Sequence, residues 1–370
     1  MVSAAVAACV SMEVRQVIND ALVFDSTLHL ADLSAEGLDD VRTDKAEMEA
    51  TVELTNRLVG GLANLDLVNY RQQDGTYSLP AEFGGTIEAM YDWAFERAPM
   101  DMALVGNAPV VPTGAILRNP EKYLRFIAEM RKAHPERLLF GGGTDPSGQL
   151  GGTPNRASLR DALESIELQI TEYGASSIKF YPVGWRCDDQ VYAYPLYEKA
   201  RSLGVNVIQF HKNLPTLREN VESQGPHDLQ AVSRDFPDMT ILLHHPLQLY
   251  FFETVSIAQR NPNVYLVCTP LIQYSLYRPR LAQELFGHLL HEVGSEKLIW
   301  GSEGVLVGNP TRILDAFSKL EIPQDLREGY GFPQFTEQDK ANILGATLAT
   351  VFGIDVEDKK RELAALPAGR

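Results

Sequence analysis

PLYEKARSLGVNVIQFH, residues 195–211, carries a helix and a strand in immediate succession. The first ten residues have helical apolar spacing and stop at Gly204. The remainder alternates, with Val205, Val207, Gln209 and His211 on one face of a strand whose last member is a histidine. The same unit recurs along the chain. Short apolar runs closed by polar, Gly or Pro residues occur at ALVFDST (21–27), MDMALVGN (100–107), RLLFGGG (137–143), SSIKFYP (176–182), MTILLHH (239–245), NVYLVCT (263–269) and KLIWGSE (297–303). Helical patterns separate most of them, such as 158–174 and 247–260. With GVNVIQFH (204–211) this makes eight strands. Alternation of this kind specifies a parallel sheet, and eight repeats close a (β/α)8 barrel, the TIM barrel of the α/β class. An open doubly wound sheet is the alternative. It lacks support, because no glycine-rich phosphate turn follows the first strand and polar residues collect at strand C-termini throughout the chain.

The rest of the chain fits around that frame. Its 370 residues are expected to form a single barrel domain with an N-terminal extension (1–20), a long helical insertion after the first strand (30–99) and closing helices at the C-terminus. Within the insertion, 43–62 reads as a helix and 71–85 as turn-rich. At the other end, 336–354 reads as an amphipathic helix with Thr336 as its N-cap and Gln338 in the first turn.

Composition narrows the function. The chain is 45% hydrophobic and 22% charged, ordinary for a globular protein. Acidic residues exceed basic ones, 49 to 33, and no Lys/Arg run tracks phosphates, so nucleic acid and anionic membrane are not expected partners. Three scattered cysteines, Cys9, Cys187 and Cys268, indicate neither a disulfide framework nor a thiolate cluster, and a reducing cytosol is expected. The apolar opening AAVAACV lacks the basic flank of a signal peptide, and no run reaches the roughly twenty apolar residues that span a bilayer.

Side chains that can carry chemistry fall at strand ends. Asp25, Thr27 and His29 share parity in the first strand, as do Gln209 and His211 in the fifth and Leu243 and His245 in the sixth, while the eighth ends in Glu303. Taken singly, each histidine also reads as a hydrogen-bonded residue near a strand end. Together, three imidazoles and a carboxylate at one rim are a donor set for a divalent metal. Lys179, in the fourth strand, reads as a cation for an anionic substrate or a carboxylate partner. Arg186, in GWRCDD (184–189), reads either as a substrate-carboxylate ligand or as half of a loop ion pair. GGGTDPSGQLGG (141–152) lacks the Gly-Lys-Ser/Thr ending of a phosphate loop and reads as a flexible loop after strand three, and HLLHE (288–292) is an outer-helix segment rather than a zinc protease motif.

With these residues in view, the sequence resembles the amidohydrolase superfamily over about residues 21–354, in particular the amidohydrolase-related branch of decarboxylases and small-molecule hydrolases. The resemblance implies a strand-one pair of metal-binding histidines at Thr27 and His29, further histidines at His211 and His245 (His244 being the less favoured choice), and a strand-eight aspartate at Glu303. It also makes Lys179 the place where some members bridge two metals with a carboxylated lysine. Two positions depart from the family. Thr27 is a poor ligand beside imidazole, and Glu303 extends its carboxylate by about 1 to 1.5 Å relative to aspartate. The implied cofactor is one divalent metal, zinc first, with manganese or iron as alternatives. The implied partner is a small organic or amino acid, cleaved by hydrolysis or at a carbon–carbon bond, with His245 and Glu303 catalytic and Thr27, Lys179 and Arg186 near substrate. The altered ligands open a second reading, a partner subunit with a reduced metal site, similar to one chain of the two-component 2-aminoisobutyrate hydroxylase. A homo-oligomer, or a hetero-oligomer with a related chain, is expected.

Overall fold

The computed structural model describes residues 18, 21–29, 87–106, 120–148, 151–215, 221–247, 249–304 and 310–366. The insertion helix expected at 43–62 and the turns at 71–85 lie outside them. Among the described residues, eight strands run in the order of the sequence: β1 (Phe24–His29), β2 (Met102–Gly106), β3 (Leu138–Gly143), β4 (Ala175–Phe180), β5 (Val207–Phe210), β6 (Thr240–His244), β7 (Val264–Val267) and β8 (Leu298–Ile299). Each pairs in parallel with the next. Between β8 and β1 the ring is drawn together by the Ser26 amide, which donates to the Trp300 carbonyl at 3.2 Å. The (β/α)8 barrel is therefore the fold, with helices such as Arg156–Thr171, Tyr194–Ser202, Phe251–Arg260 and Pro279–Glu292 as parallel crossovers.

Strand alternation sorts side chains into two apolar bodies. Ala103, Val105, Phe140, Ile178, Phe180, Ile208, Phe210, Ile241, Leu243 and Leu266 pack outward among helix residues. Their neighbours Met102, Leu104, Val207, Leu242, Val267 and Ile299 join Leu22 and Phe24 in a second cluster that plugs the barrel interior, covered by Leu348 and Ala349. Further along the same inward rows the residues turn polar, as Ser177, Lys179, Gln209 and His244, all buried. An apolar floor thus lies beneath a polar layer at the strand C-termini.

Several local features follow directly from sequence. The helix Arg156–Thr171 starts two residues before the expected 158 because Asn155 caps it, its side chain accepting from the amides of Ala157 and Ser158. Gly141, Gly142 and Gly143 complete β3, as the strand read at 137–143 has it, and the loop read over 141–152 begins only after them. A Cβ at Gly142 would overlap the amide oxygen of Gln169, which also accepts from Gly143 N at 2.8 Å, so the glycines admit a helix side chain against the strand. His288 sits on the outer helix Pro279–Glu292, with Nδ1 3.2 Å from Glu292 and its ring against Phe252 and Phe332.

The closing helix begins as expected at Thr336, whose hydroxyl accepts from Asp339 N at 3.1 Å, but it is not uniform. It widens into a π turn at Asn342–Ala346 before resuming as Thr347–Val351. The Ile343 carbonyl accepts instead from Trp300 N at 2.8 Å, outside the helix. Gly345 lies so close to β1 that a Cβ there would overlap the Leu22 carbonyl. Gly345→Ala is therefore expected to lower the unfolding free energy by about 1 to 3 kcal/mol, as overpacking does. Urea titration checks this, and a change under about 0.5 kcal/mol would contradict the close approach.

Candidate metal centre

Each imidazole at the barrel mouth is oriented by its outer nitrogen. His211, just beyond β5, donates from Nε2 to the Leu214 carbonyl at 2.7 Å. His245, just beyond β6, donates from Nδ1 to the Thr269 carbonyl at 2.5 Å. His29, the last residue of β1, places Nδ1 3.4 Å from the Gly106 carbonyl. A carbonyl only accepts, so in neutral His211 and His245 the inner nitrogens carry lone pairs. Those two nitrogens, His211 Nδ1 and His245 Nε2, face each other at 3.0 Å. Burial pushes both imidazoles below their ordinary range, His245 to about 4, so neither brings a proton to the contact at neutral pH. Two lone pairs at that separation call for a cation.

Glu303 completes the set. Its Oε2 lies 3.3 Å from His29 Nε2, and its Oε1 accepts from the Thr269 hydroxyl at 3.1 Å. Burial alone would raise this carboxyl, but His29, His245 and Lys179 outweigh it and hold the group well below the usual carboxylate range. The longer arm of glutamate is accommodated by the backbone: Glu303 has φ 59° and is followed by Gly304 at φ 49°, where a Cβ would overlap the His29 backbone. Thr27 points to the same place without acting as an imidazole does, its hydroxyl accepting from Glu303 N at 3.4 Å. Gly301 makes room for that hydroxyl.

Strand six corrects the parity argument. Leu243 faces outward among the helices, and the inward residue of β6 is His244, in line with Leu242. His245 nevertheless reaches the centre because its backbone turns left-handed, φ 65°, immediately after the strand. Both histidines therefore arrive: one ring nitrogen of each and a Glu303 oxygen lie within 4.8 Å of one another. The signal for His244 was present in the alternation of LLHH; the left-handed turn at His245 had none. In strand one, Phe24 also faces inward, and the register shift between Asp25 and Leu28 lets Asp25, Thr27 and His29 serve the mouth.

Lys179 is buried in the polar layer, its Nζ 5.2 Å from the centre of the Tyr181 ring. Burial lowers it to about 8 against the upward pull of Glu303 and Asp25, so it is cationic at neutral pH. The anions that act on it are Glu303 and Asp25, and no hydrogen bond joins it to either. Tyr181 in turn stacks on His211, ring centres 5.0 Å apart. Arg186 is not brought to this group: it is 67% exposed and holds Asp188 in a two-pronged bond.

The donor set is thus nitrogen-rich and anchored from behind: among the described residues His244, His245 and Glu303 form the group that could hold a divalent ion, with His29 3.3 Å from Glu303 and His211 3.0 Å from His245 beside it. A family model described as amidohydrolase matches residues 25–354. The chain belongs to the amidohydrolase family. No curated protein matches it. Among solved structures, the amidohydrolase chain is similar to an uncharacterised TIM-barrel protein of Bordetella bronchiseptica (18% identity, TM-score 0.58, 90% of this chain and 98% of that one). It is also similar to a 2,6-dihydroxybenzoate decarboxylase from Rhizobium (13%, 0.55, 90% and 99%). A third is a dihydroxybenzoic acid decarboxylase from Polaromonas with bound manganese (12%, 0.53, 90% and 97%). At these identities the likeness is one of fold. No helix among the described residues is long and apolar enough to cross a membrane.

Acid should destabilise the metal-free amidohydrolase. Burial depresses His211, His244 and His245, so the unfolded chain takes up three protons as pH falls through about 6.5 while the folded chain resists them, His245 down to about 4. Asp25 and Asp145, raised to about 6, work in the opposite sense below that pH, giving back two protons. The balance still favours loss on acidification. Urea unfolding after chelation is expected to show about 1 to 3 kcal/mol less stability at pH 5 than at pH 7. A flat or rising profile would refute the neutral burial of these rings.

Proposed function

We propose that this amidohydrolase is a metal-dependent enzyme that cleaves a carbon–carbon, amide or ester bond in a small organic or amino acid. The observation that carries this reading is Lys179, a buried ammonium that acts electrostatically on His211, His244, His245 and Glu303 and makes no hydrogen bond to an anion among the described residues. Such a charge is costly to bury unless an anion joins it, and a substrate carboxylate is the anion a small acid supplies. His29, His211 and His245 would hold the ion, with Glu303 as fourth ligand or as base. The ion supplies polarisation of a bound carboxylate or water. We take it as one zinc, with manganese and iron as the alternatives that elemental analysis distinguishes.

The remaining roles belong to the chain itself. Lys179 orients the substrate carboxylate, while the Thr269 hydroxyl and His29 aim the Glu303 carboxylate. Glu303, held as the carboxylate by its neighbours, can offer Oε1 or Oε2 to the ion or to a proton released there, better as a ligand than as a strong base, and His245, fixed by the Thr269 carbonyl, orients the reacting group. The buried, unpaired thiols of Cys187 and Cys268 suit a reducing cytosol.

The exchanged ligands Thr27 and Glu303 favour one other reading, a supporting subunit in a hetero-oligomeric oxygenase built from related chains. Expression with and without genomically adjacent paralogues separates the two, since activity from the lone chain excludes a purely supporting role.

Elemental analysis of protein purified without chelator is expected to find about one divalent ion per chain. No bound metal, together with no gain in melting temperature on adding zinc, manganese or iron, would sink the proposal. In a screen of small carboxylic acids, Lys179→Met should lower kcat/KM about 10- to 100-fold, the effect of losing a charged hydrogen bond, with metal content unchanged. Equal kcat/KM in the two proteins would remove Lys179 from substrate binding.

A further inference from the structure

Beneath the mouth, a short polar chain runs across three strands. Gln209 on β5 is buried, and its Nε2 donates to the Ser177 hydroxyl on β4 at 2.8 Å. Its Oε1 lies 3.0 Å from His244 Nε2 on β6. An amide oxygen can only accept, so the His244 proton sits on Nε2 and the lone pair on Nδ1. That Nδ1 is buried and has no hydrogen-bond partner among the described residues. Gly141 on β3 closes the far side: a Cβ there would lie 3.4 Å from Ser177 Oγ and 3.5 Å from Gln209 Nε2, in ordinary contact with both.

An imidazole lone pair left alone in the interior costs about 1 to 3 kcal/mol. This one sits in a ring that shares the 4.8 Å group with His245 and Glu303. Its outer nitrogen is anchored just as those of His211 and His245 are, except that a side-chain amide replaces the main-chain carbonyl. Ser177, by holding the amide nitrogen, keeps the amide oxygen turned toward His244.

We propose that Ser177 and Gln209 are positioning residues that hold His244 as the Nε2–H tautomer, so that its Nδ1 becomes the nitrogen donor standing in for the imidazole absent at Thr27. The donor role rests on the metal reading given above; the tautomer does not. The relay acts through His244 and does not itself touch the ion.

Two measurements test it. In metal-free protein labelled with ¹⁵N-histidine, long-range ¹H–¹⁵N correlation reads each tautomer, with His244 assigned by the signal lost in His244→Gln. The wild type and Gln209→Glu should show His244 as Nε2–H, and Gln209→Leu should shift it toward Nδ1–H. Competition titration with zinc and with manganese should then show binding about 10- to 100-fold weaker in Gln209→Leu, the usual effect of losing a ligand's supporting bond. Gln209→Glu should bind as tightly as wild type, and Ser177→Ala, which leaves the packing nearly intact, should fall between them. An Nδ1–H tautomer in the wild type overturns the proposal, as does equal affinity in wild type, Gln209→Leu and Ser177→Ala. A wild type with the expected tautomer that binds neither ion overturns the donor role through failure of the metal reading, while the tautomer assignment stands on its own signal.

Discussion

The mouth of this barrel depends on Asp25. Among the described residues β8 and β1 form no strand ladder; besides the Ser26 amide bond to the Trp300 carbonyl, the Asp25 carboxylate takes the amide of Ser302 at 2.9 Å and its hydroxyl, while also accepting from Thr27 N at 2.9 Å. These bonds tie the segment carrying Glu303 to the strand carrying Thr27 and His29. Burial raises the Asp25 carboxyl to about 6 even though Ser302 and Thr27 pull it down, which shows how far from water the seam lies. Gln273, in the segment after β7, reinforces it by donating to the carbonyls of Gly301 and Ser302. Without that seam, Glu303 would have no fixed relation to the histidines, and neither the 3.3 Å contact to His29 nor the 3.1 Å bond from Thr269 would survive.

Strand and helix alternation was fully legible because each unit had to bury one face, and burial leaves periodicity in the sequence. All eight strands stand where 21–27 through 297–303 placed them, to within a few residues. His211 follows the inward row of Val207 and Gln209, whereas His29 reaches the mouth through the register shift between Asp25 and Leu28, which changes the row that starts inward at Phe24. Strand parity in LLHH leads inward to His244, and only a left-handed turn brings His245 beside it. Of the two readings of Arg186 the loop ion pair holds, since the aspartate two positions on satisfies it locally. The three glycines fall both in the strand read at 137–143 and in the loop read over 141–152; the strand reading holds, and at Gly142 the missing side chain is space filled by Gln169.

The polar layer owes its character to an imbalance. Four imidazoles, one ammonium and two carboxylates share a volume from which water is largely excluded, and most have fixed partners only on their outer sides. Hydrogen bonds from carbonyl, amide and hydroxyl groups orient the rings from behind and leave the inner atoms uncommitted. Preorganisation of this sort is easier on rigid strand ends than on loops, which explains why the chemistry gathers there rather than in the glycine-rich turns.

His245 and Glu303 are among the few described residues other than glycine with positive φ, and both belong to the centre. An L-residue held there gives up roughly 1 kcal/mol that glycine or asparagine would largely keep. The fold by itself therefore favours erasing these two side chains, and their presence means that the backbone is bent for what they hold. A copy of this barrel released from its task would be expected to drift first at these positions, toward glycine or asparagine, gaining stability while its strands stayed in place.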